Sequence, residues 1–260
     1  MRKYIVIEKE VGETPLMAIE KWRHAEGILN SLPLSYAGRL DPMASGKLLV
    51  LIGDECKQQE QYTKLDKEYE IEILLDISTD TGDVLGMPAY ADTNTHPDKS
   101  AVKAALRAVT GTHVVPYPAF SSKTVNGKSL FLYALEGTLD TIEIPTHKET
   151  VYRIKQLGTA SLSEDALQTR VMEMLSLAPR SDEPSKVLGA DFRQDEIRAR
   201  WGVMFASMPT REFVVLRLRV SCASGTYMRT LASRIARELG TTGFALSIRR
   251  TMIRNLLFRF

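Results

Sequence analysis

Residues 38–48 read Gly38-Arg39-Leu40-Asp41-Pro42-Met43-Ala44-Ser45-Gly46-Lys47-Leu48, and the apolar run then continues to Ile52 before Gly53 stops it. Glycine and proline favour a loop at the start of this stretch, and a short apolar run between glycines is typical of a buried strand. Asp41 therefore lies on a loop that leads directly into the predicted core. Taken alone, an aspartate before proline is typical of a turn residue, because aspartate caps turns and the residue before proline avoids helix.

Strands and helices mix on both sides of this loop. Residues 67–75 alternate apolar and acidic side chains, which predicts a half-buried strand, and residues 216–220 repeat that alternation with arginine. Thr14 before Pro15 predicts a helix start, and Asn126-Gly127 predicts a hairpin turn. Further helices are expected over residues 100–110 and before Gly240. Because no strict β-α-β rhythm appears, the sequence predicts an α+β fold with a mixed, mostly antiparallel central sheet flanked by helices and loops.

The composition excludes several classes of protein. The chain has 260 residues, of which 44% are hydrophobic and 25% charged, as in ordinary globular domains. No apolar run approaches the ~18 residues of a membrane span, and the N-terminal apolar stretch is too short for a secretory signal, so we expect a cytoplasmic protein without a membrane partner. Cys56 and Cys222 form no CxxC pair, which favours two buried free thiols over disulfides or a zinc ribbon.

Several catalytic motifs are missing from the sequence. A P-loop lacks its earlier glycine, HExxH and GxSxG motifs are absent, and the four histidines are scattered. We therefore expect neither a metal nor a cofactor.

The formal charge of +2 hides an asymmetry along the chain. Residues 211–260 hold ten arginines, no lysine and two glutamates, which gives +8 and leaves −6 for residues 1–210. Arginine suits bidentate phosphate contacts, so this tail is a candidate for nucleic-acid binding. The alternative is a solvated helix face together with a strand edge. The ten are Arg211, Arg217, Arg219, Arg229, Arg234, Arg237, Arg249, Arg250, Arg254 and Arg259.

Four further segments follow the first loop in order along the chain. They are Lys67-Glu68-Tyr69-Glu70-Ile71, Thr79-Asp80-Thr81-Gly82-Asp83, the proline- and lysine-containing stretch 116–137, and Ser224-Gly225-Thr226-Tyr227-Met228-Arg229-Thr230, after which Leu239-Gly240 and Arg249-Arg250 follow. With residues 38–48, these segments resemble the GxLDPxAxGxL, KxY and TDTxD motifs, the hairpin and the GTYxRT motif of the TruB-type tRNA pseudouridine synthases. Five segments in one order over nearly the whole chain make the resemblance specific.

This resemblance implies a set of site residues. Asp41 stands at the position of the nucleophile, Tyr69 at that of a ring that stacks on the target uracil and assists a proton transfer, and Arg229 at that of the nucleophile's partner. A guanidinium would keep the carboxylate ionised, because burial alone raises the pKa of a carboxyl group. Substrate-binding roles are implied for Tyr36, Arg39, Tyr227, Ile248 and Lys123. From the pattern alone, Tyr69, Tyr227 and Ile248 are also typical core residues, and Arg39 is a typical exposed turn residue.

Four departures from the family pattern stand out. Tyr36 replaces the usual histidine, which keeps a stacking ring but no imidazole proton. In the hairpin, Thr124 occupies the usual lysine position and Lys123 lies one residue earlier. Residues from about 158 to 211 show helical patterns without a counterpart in the compact family core, so we expect a helical insertion or lid there. The chain ends ten residues after Arg250, which predicts one catalytic domain over residues 1–260 without a C-terminal PUA domain.

The resemblance implies an isomerase that converts a uridine of the tRNA T loop, uridine-55, to pseudouridine after base flipping. The implied partner is the T arm of tRNA, bound by a monomer. Two alternatives remain open: a non-catalytic tRNA-binding or folding module on the same scaffold, and an RNA-guided pseudouridine synthase subunit of the dyskerin kind. Modification of an unmodified transcript without a guide distinguishes the three.

Overall fold

The structure is a computed structural model that describes residues 3–179 and 193–254. The strands are β1 (Tyr4–Lys9), β2 (Leu34–Ala37), β3 (Ala44–Ile52), β4 (Lys67–Leu75), β5 (Ile77–Thr79), β6 (Pro88–Tyr90), β7 (Gly111–Pro116), β8 (Thr124–Val125), β9 (Lys128–Ser129), β10 (Thr146–Ser163), β11 (Glu212–Cys222) and β12 (Gly243–Ile253). The helices are α1 (Pro15–Ala25), α2 (Gln59–Thr63), α3 (Lys99–Ala108), α4 (Leu130–Leu135), α5 (Glu164–Ser176), α6 (Gln194–Ser207) and α7 (Met228–Glu238). In the described ranges, no helix is long and apolar enough to cross a membrane.

Among the described residues, eight strands form one central sheet in the order β1-β3-β12-β4-β11-β10-β7, with β2 added to β3. The pairing of β12 with β3 is parallel, and the other pairs in this sheet are antiparallel. This confirms the predicted mixed, mostly antiparallel sheet with flanking helices. The close approach of β12 to β3 requires Gly46, since a Cβ there would lie 2.3 Å from the carbonyl oxygen of Arg250.

The local signals of the sequence are confirmed where they are strongest. The Thr14 hydroxyl accepts a hydrogen bond from the Met17 amide and caps α1, which begins at Pro15. Asn126 and Gly127 both adopt positive φ angles, 50° and 80°, and join β8 to β9 in the predicted hairpin. Alternate side chains of β4 are buried, as its period-two pattern predicts.

The region predicted as a helical insertion differs in two respects. Residues 158–163 are the end of β10, paired with β11, so the helical part begins at Glu164. The apolar sides of α5 and α6 pack with residues of β4, β11 and β12 in one buried cluster, so the two helices form a layer of the core and do not constitute a lid. Residues 180–192 of the prediction lie outside the described residues. That the pair is an insertion relative to the family stays a prediction.

The arginines of the C-terminal tail are mostly neutralised within the domain. Seven of the nine described ones form ion pairs, and Arg250 donates to backbone carbonyls. The pairs are Arg211 with Asp76, Arg217 with Glu72, Arg219 with Glu70, Arg229 with Asp41, Arg234 with Glu149, Arg249 with Glu8 and Arg254 with Glu68. Phosphate contact therefore stays a prediction for the exposed members, whereas Arg211, Arg229, Arg234 and Arg250 are held inside. Arg259 lies outside the described residues.

The two cysteines differ in environment. Cys222 is buried as predicted, but Cys56 is half-buried, so the expectation of two buried thiols is wrong for Cys56. Burial raises the pKa of the Cys222 thiol to about 12, which leaves it protonated and unreactive at neutral pH.

Asp76 is a fully buried carboxylate at the end of β4. Its oxygens accept hydrogen bonds from the hydroxyls of Thr241 and Thr93 and the Thr95 amide, and Arg211 forms an ion pair with it. Burial opposes ionisation, but these donors outweigh it and lower the pKa of Asp76 from 3.8 to about 2. The charged form therefore stabilises the fold above pH 3.8, and this contribution disappears as the pH falls through about 2.

We expect Asp76→Asn to reduce the free energy of unfolding at pH 7 by about 2 kcal/mol, the value of a shift of nearly two pKa units. Asparagine tolerates the positive φ of 69° at this position, so the backbone is unaffected and the loss reports the charge. Urea unfolding at about pH 7 and at about pH 2.5, where much of the contribution is already lost, measures the effect of the charge. A variant whose loss of stability between these pH values equals that of the wild type would contradict this account.

Candidate active site

A cavity of about 710 Å³ lies where the loop of residues 38–43 meets β4, β12 and the start of α7. Seven of the eight site residues proposed from sequence line it: Asp41, Tyr69, Arg229, Tyr36, Arg39, Tyr227 and Ile248. Lys123 does not line the cavity, and its ammonium group lies over the ring of Tyr117, 5.2 Å from the ring centroid. The segments that carry these residues are far apart in sequence, and the sheet brings them together.

Two buried cations fix the loop that carries Asp41. The guanidinium of Arg250 donates to the carbonyl oxygens of Gly38, Arg39 and Lys47 at 3.0, 3.3 and 2.6 Å. From the other side, the ammonium group of Lys9 donates to the carbonyl oxygens of Ala44 and Pro42 at 2.6 and 3.3 Å. Burial lowers the pKa of Lys9 to about 8. These hydrogen bonds tie the loop and the start of β3 to β1 and β12, and so restrict the conformation of the loop.

Asp41 forms a direct ion pair with Arg229. The distance from Nε of Arg229 to Oδ2 of Asp41 is 2.7 Å, and the side chain of Asp41 is 36% exposed toward the cavity while that of Arg229 is 6% exposed. A second carboxylate, Asp83, lies 3.8 Å from the same nitrogen. Burial is the main reason that the pKa of Asp83 is raised, with Arg229 opposing the shift. One guanidinium thus stands between an accessible carboxylate and a buried one.

The other nitrogens of Arg229 bind two backbone segments. Nη1 donates to the carbonyl oxygen of Thr81, and Nη2 donates to that of Phe120 at 3.0 Å. Gly82 packs closely on the Arg229 backbone, since a Cβ at Gly82 would lie 3.1 Å from the Arg229 carbonyl oxygen. The planar group therefore has a fixed orientation, which lysine with its single ammonium group would not reproduce.

Tyr69 and Ile248 form the apolar wall of the cavity. Tyr69 is 9% exposed and belongs to the main core cluster, as does Ile248 at 7%. Arg250 on β12 stands opposite Tyr69 on β4. Burial raises the pKa of the Tyr69 hydroxyl, so it carries its proton at neutral pH. Both residues therefore pack in the core and also line the cavity. The core role and the site role predicted from the sequence are compatible.

The rim of the cavity is aromatic and basic. Tyr36 is half-buried and Arg39 is exposed. Tyr227 meets the rings of Tyr117 and His147 edge-to-face, with centroids 6.2 and 5.6 Å away. Tyr36 and Tyr227 line the cavity together with Arg39, and Tyr117 and His147 pack against Tyr227.

Sequence reasoning missed four residues that shape the site. The sequence makes Arg250 a candidate for phosphate contact and assigns Asp83 no role within its motif, although the spacing of the TDTGD segment is a usable signal. Lys9 and Arg193 carried no local signal, because their partners lie in other segments. In the described ranges, no group of three His, Cys, Asp or Glu side chains could hold a metal ion.

Comparison with solved structures defines the class of fold. A chain of the Cbf5–Nop10–Gar1 complex superposes with a TM-score of 0.56 and 15% identity, covering 96% of this chain and 48% of that one. A chain of an H/ACA RNP bound to a substrate RNA containing 2'-deoxyuridine gives a TM-score of 0.52 at 14% identity, with 96% and 47% covered. The protein therefore has the pseudouridine synthase fold.

Comparison of sequences then gives the family. The model of the TruB family pseudouridylate synthase N-terminal domain matches residues 28–173, and the chain belongs to this family. Two relatives named tRNA pseudouridine synthase B, from Aromatoleum aromaticum and Thermobifida fusca, are each 28% identical over 96% of this chain. The chain spans 62% of the length of the first relative and 68% of the second.

Proposed function

We propose that the protein is a tRNA pseudouridine synthase that isomerises a uridine of the T loop, uridine-55, with Asp41 as the nucleophile. The observation that carries the proposal is the ion pair between Asp41 and Arg229 in a cavity that Tyr69 also lines. Family membership and the names of the relatives support the reaction class. The position of the target uridine rests on the resemblance alone.

The reaction breaks the bond between N1 of uracil and C1' of ribose and forms a bond between C5 and C1'. C5 loses a proton and N1 gains one, so the product is an isomer and no electrons are transferred. A carboxylate nucleophile is sufficient for this chemistry. Arg229 donates a hydrogen bond to Oδ2 of Asp41 and so orients the carboxylate in the cavity. Attack by Asp41 at the base and attack at the sugar are both compatible with this geometry.

The target base must leave its stack to reach the cavity. Flipping a nucleotide costs a few kcal/mol, and stacking on an aromatic ring returns roughly 1 to 3 kcal/mol per base. Tyr36 at the rim and Tyr69 at the wall are the rings proposed for this role, and Tyr227 and Ile248 complete the base pocket. We assign Arg39 to a phosphate contact, because it is exposed beside the opening. Lys123, outside the cavity lining, is assigned to the RNA surrounding the target base.

We expect Tyr69→Phe to reduce turnover by at least about tenfold, somewhat below the usual range for a positioned proton donor or acceptor. The ring and its packing stay, so the melting temperature should remain within about 2 °C of the wild type. Turnover with saturating tRNA and thermal unfolding measure the two effects. Unchanged turnover with a lower melting temperature would instead assign Tyr69 to core packing.

The function itself is tested with purified protein and an unmodified tRNA transcript, without a guide RNA. The expected result is one pseudouridine in the T loop, and a transcript with cytidine in place of the target uridine serves as the control. Binding without product would favour the non-catalytic module, and product that requires a guide RNA would favour the RNA-guided subunit. We propose a monomer acting in the cytoplasm on the T arm, as the resemblance implies.

A further inference from the structure

Arg193 occupies an unusual place immediately before α6. Its φ and ψ angles are 57° and 30°, the left-handed region that is unfavourable for a side chain of this size. It stands at the N-cap position, where Ser, Thr, Asp and Asn are preferred, and its side chain makes no capping hydrogen bond. Local helix formation therefore does not explain an arginine here.

The side chain of Arg193 extends to the cavity and contacts two active-site segments. Its Nη2 atom lies 2.9 Å from Oδ2 of Asp80, and its guanidinium lies over the ring of Phe120 at 4.6 Å from the centroid. It also belongs to the cavity lining, although it comes from the helical layer and not from the family motifs. Arginine is suited to such a position, because its planar group forms an ion pair and stacks on a ring at the same time.

The two partners of Arg193 adjoin the two carbonyls that hold Arg229. Asp80 precedes Thr81, whose carbonyl accepts from Arg229, and Phe120 supplies the other carbonyl. Behind the same segment, Nε1 of Trp201 on α6 donates to the carbonyl oxygen of Val84 at 3.2 Å. The helical layer thus holds residues 80–84 from behind through Trp201 and joins them to Phe120 through Arg193.

We propose that Arg193 is a positioning residue for catalysis, which clamps the segments around Asp80 and Phe120 so that Arg229 is aligned on Asp41. The proposal rests on the function proposed above. Arg193 acts through Asp80 and Phe120, so its removal changes the geometry of the ion pair and leaves the RNA-binding surface in place. The helical layer, expected from sequence to be an insertion or lid, thereby contributes a side chain to the active site.

The test compares Arg193→Ala with Arg198→Ala on the same helix. Arg198 donates to the carbonyl oxygen of Leu175 and so joins α6 to α5, but it does not line the cavity. We expect Arg193→Ala to lower kcat by about tenfold or more with KM nearly unchanged, because a misplacement of about 1 Å at a catalytic group has large effects on rate. Arg198→Ala should lower the melting temperature and leave kcat unchanged.

A conservative variant and a double mutant sharpen the comparison. Arg193→Lys keeps the charge for Asp80 but loses the planar stacking on Phe120, so it should recover part of the lost kcat. Asp80→Asn combined with Arg193→Ala should be no slower than Arg193→Ala alone, since residues that act as a unit are not additive. A rise in KM at unchanged kcat would show that Arg193 binds RNA directly and would overturn the proposal, as would fully additive losses.

Hydrogen exchange provides a readout that does not depend on activity. The Gly82 amide donates to the carbonyl oxygen of Thr79, and the Phe131 amide donates to that of Ser121. Both bonds lie in the clamped segments, so both amides should exchange faster in Arg193→Ala and at the wild-type rate in Arg198→Ala. A wild-type protein that makes no pseudouridine would refute the proposed function, and unchanged exchange in Arg193→Ala would separately refute the clamp.

Discussion

Replacing Asp41 by asparagine is expected to abolish pseudouridine formation while tRNA binding persists. The amide has the size of the carboxylate but is not a nucleophile, so turnover should fall by at least about a thousandfold, as for other enzymes that lose a nucleophile. Because Arg39 and the exposed arginines proposed for phosphate contacts are unchanged in this variant, the Kd for tRNA should stay within about threefold of the wild type, a change below about 1 kcal/mol. Single-turnover assays and equilibrium binding measure the two quantities.

We also expect Asp41→Asn to lower the free energy of unfolding. The amide introduced by Asp41→Asn would leave Arg229 with a neutral acceptor in place of a charged one, and Asp83 at 3.8 Å would compensate in part. We therefore expect a loss of about 2 kcal/mol in the free energy of unfolding, the scale of one hydrogen bond to a charged group. Asp54→Asn is the matched control, because Asp54 is 94% exposed and pairs with Lys57 at the surface. Appreciable pseudouridine formation by Asp41→Asn would disprove the assignment of the nucleophile.

The second large effect is expected at Arg229, where Arg229→Lys should reduce kcat by at least about a hundredfold. Lysine keeps the charge, but one ammonium group cannot donate to Asp41, Thr81 and Phe120 from the positions that the guanidinium occupies. The carboxylate of Asp41 would then shift, and a misplacement of about 1 Å can cost about a hundredfold in rate.

Arg234→Lys is the matched control for this variant. Arg234 lies on α7 with Arg229 and pairs with the buried carboxylate of Glu149, away from the cavity. We expect it to lose stability and to retain the wild-type kcat. If the two variants lose kcat equally, the role of Arg229 is structural, and the proposed function of the Asp41–Arg229 pair is wrong.

Much of the fold was predictable because its signals are local. The cap at Thr14, the turn at Asn126-Gly127 and the alternation of β4 each depend on residues a few positions apart, and each is present in the structure. The helical pair illustrates the limit of such signals. Its apolar periodicity indicated the helices correctly, but the same periodicity fits a lid or a core layer, since it does not specify the surface that the helices cover.

The candidate site was predictable as a set of residues and not as a geometry. Of the eight residues that the motif resemblance named, seven line the cavity and Lys123 does not, and the roles of all eight stay predictions. The arginine-rich tail shows that composition cannot distinguish a phosphate-binding surface from ion pairs within the domain. Cross-strand register places Arg217 opposite Glu72 and Arg219 opposite Glu70, which turns an excess of positive charge into surface ion pairs.

The sequence by itself therefore determined the order of the motifs, the class of fold and the position of Asp41 on a loop before a buried strand. The tertiary structure alone decided which groups surround that carboxylate. Arg229 is 188 residues from Asp41, and Arg250 holds a carbonyl 212 residues away at Gly38. Such contacts depend on the parallel pairing of β12 with β3 and on the register of β4, and these follow from the packing of the whole sheet and not from any local periodicity.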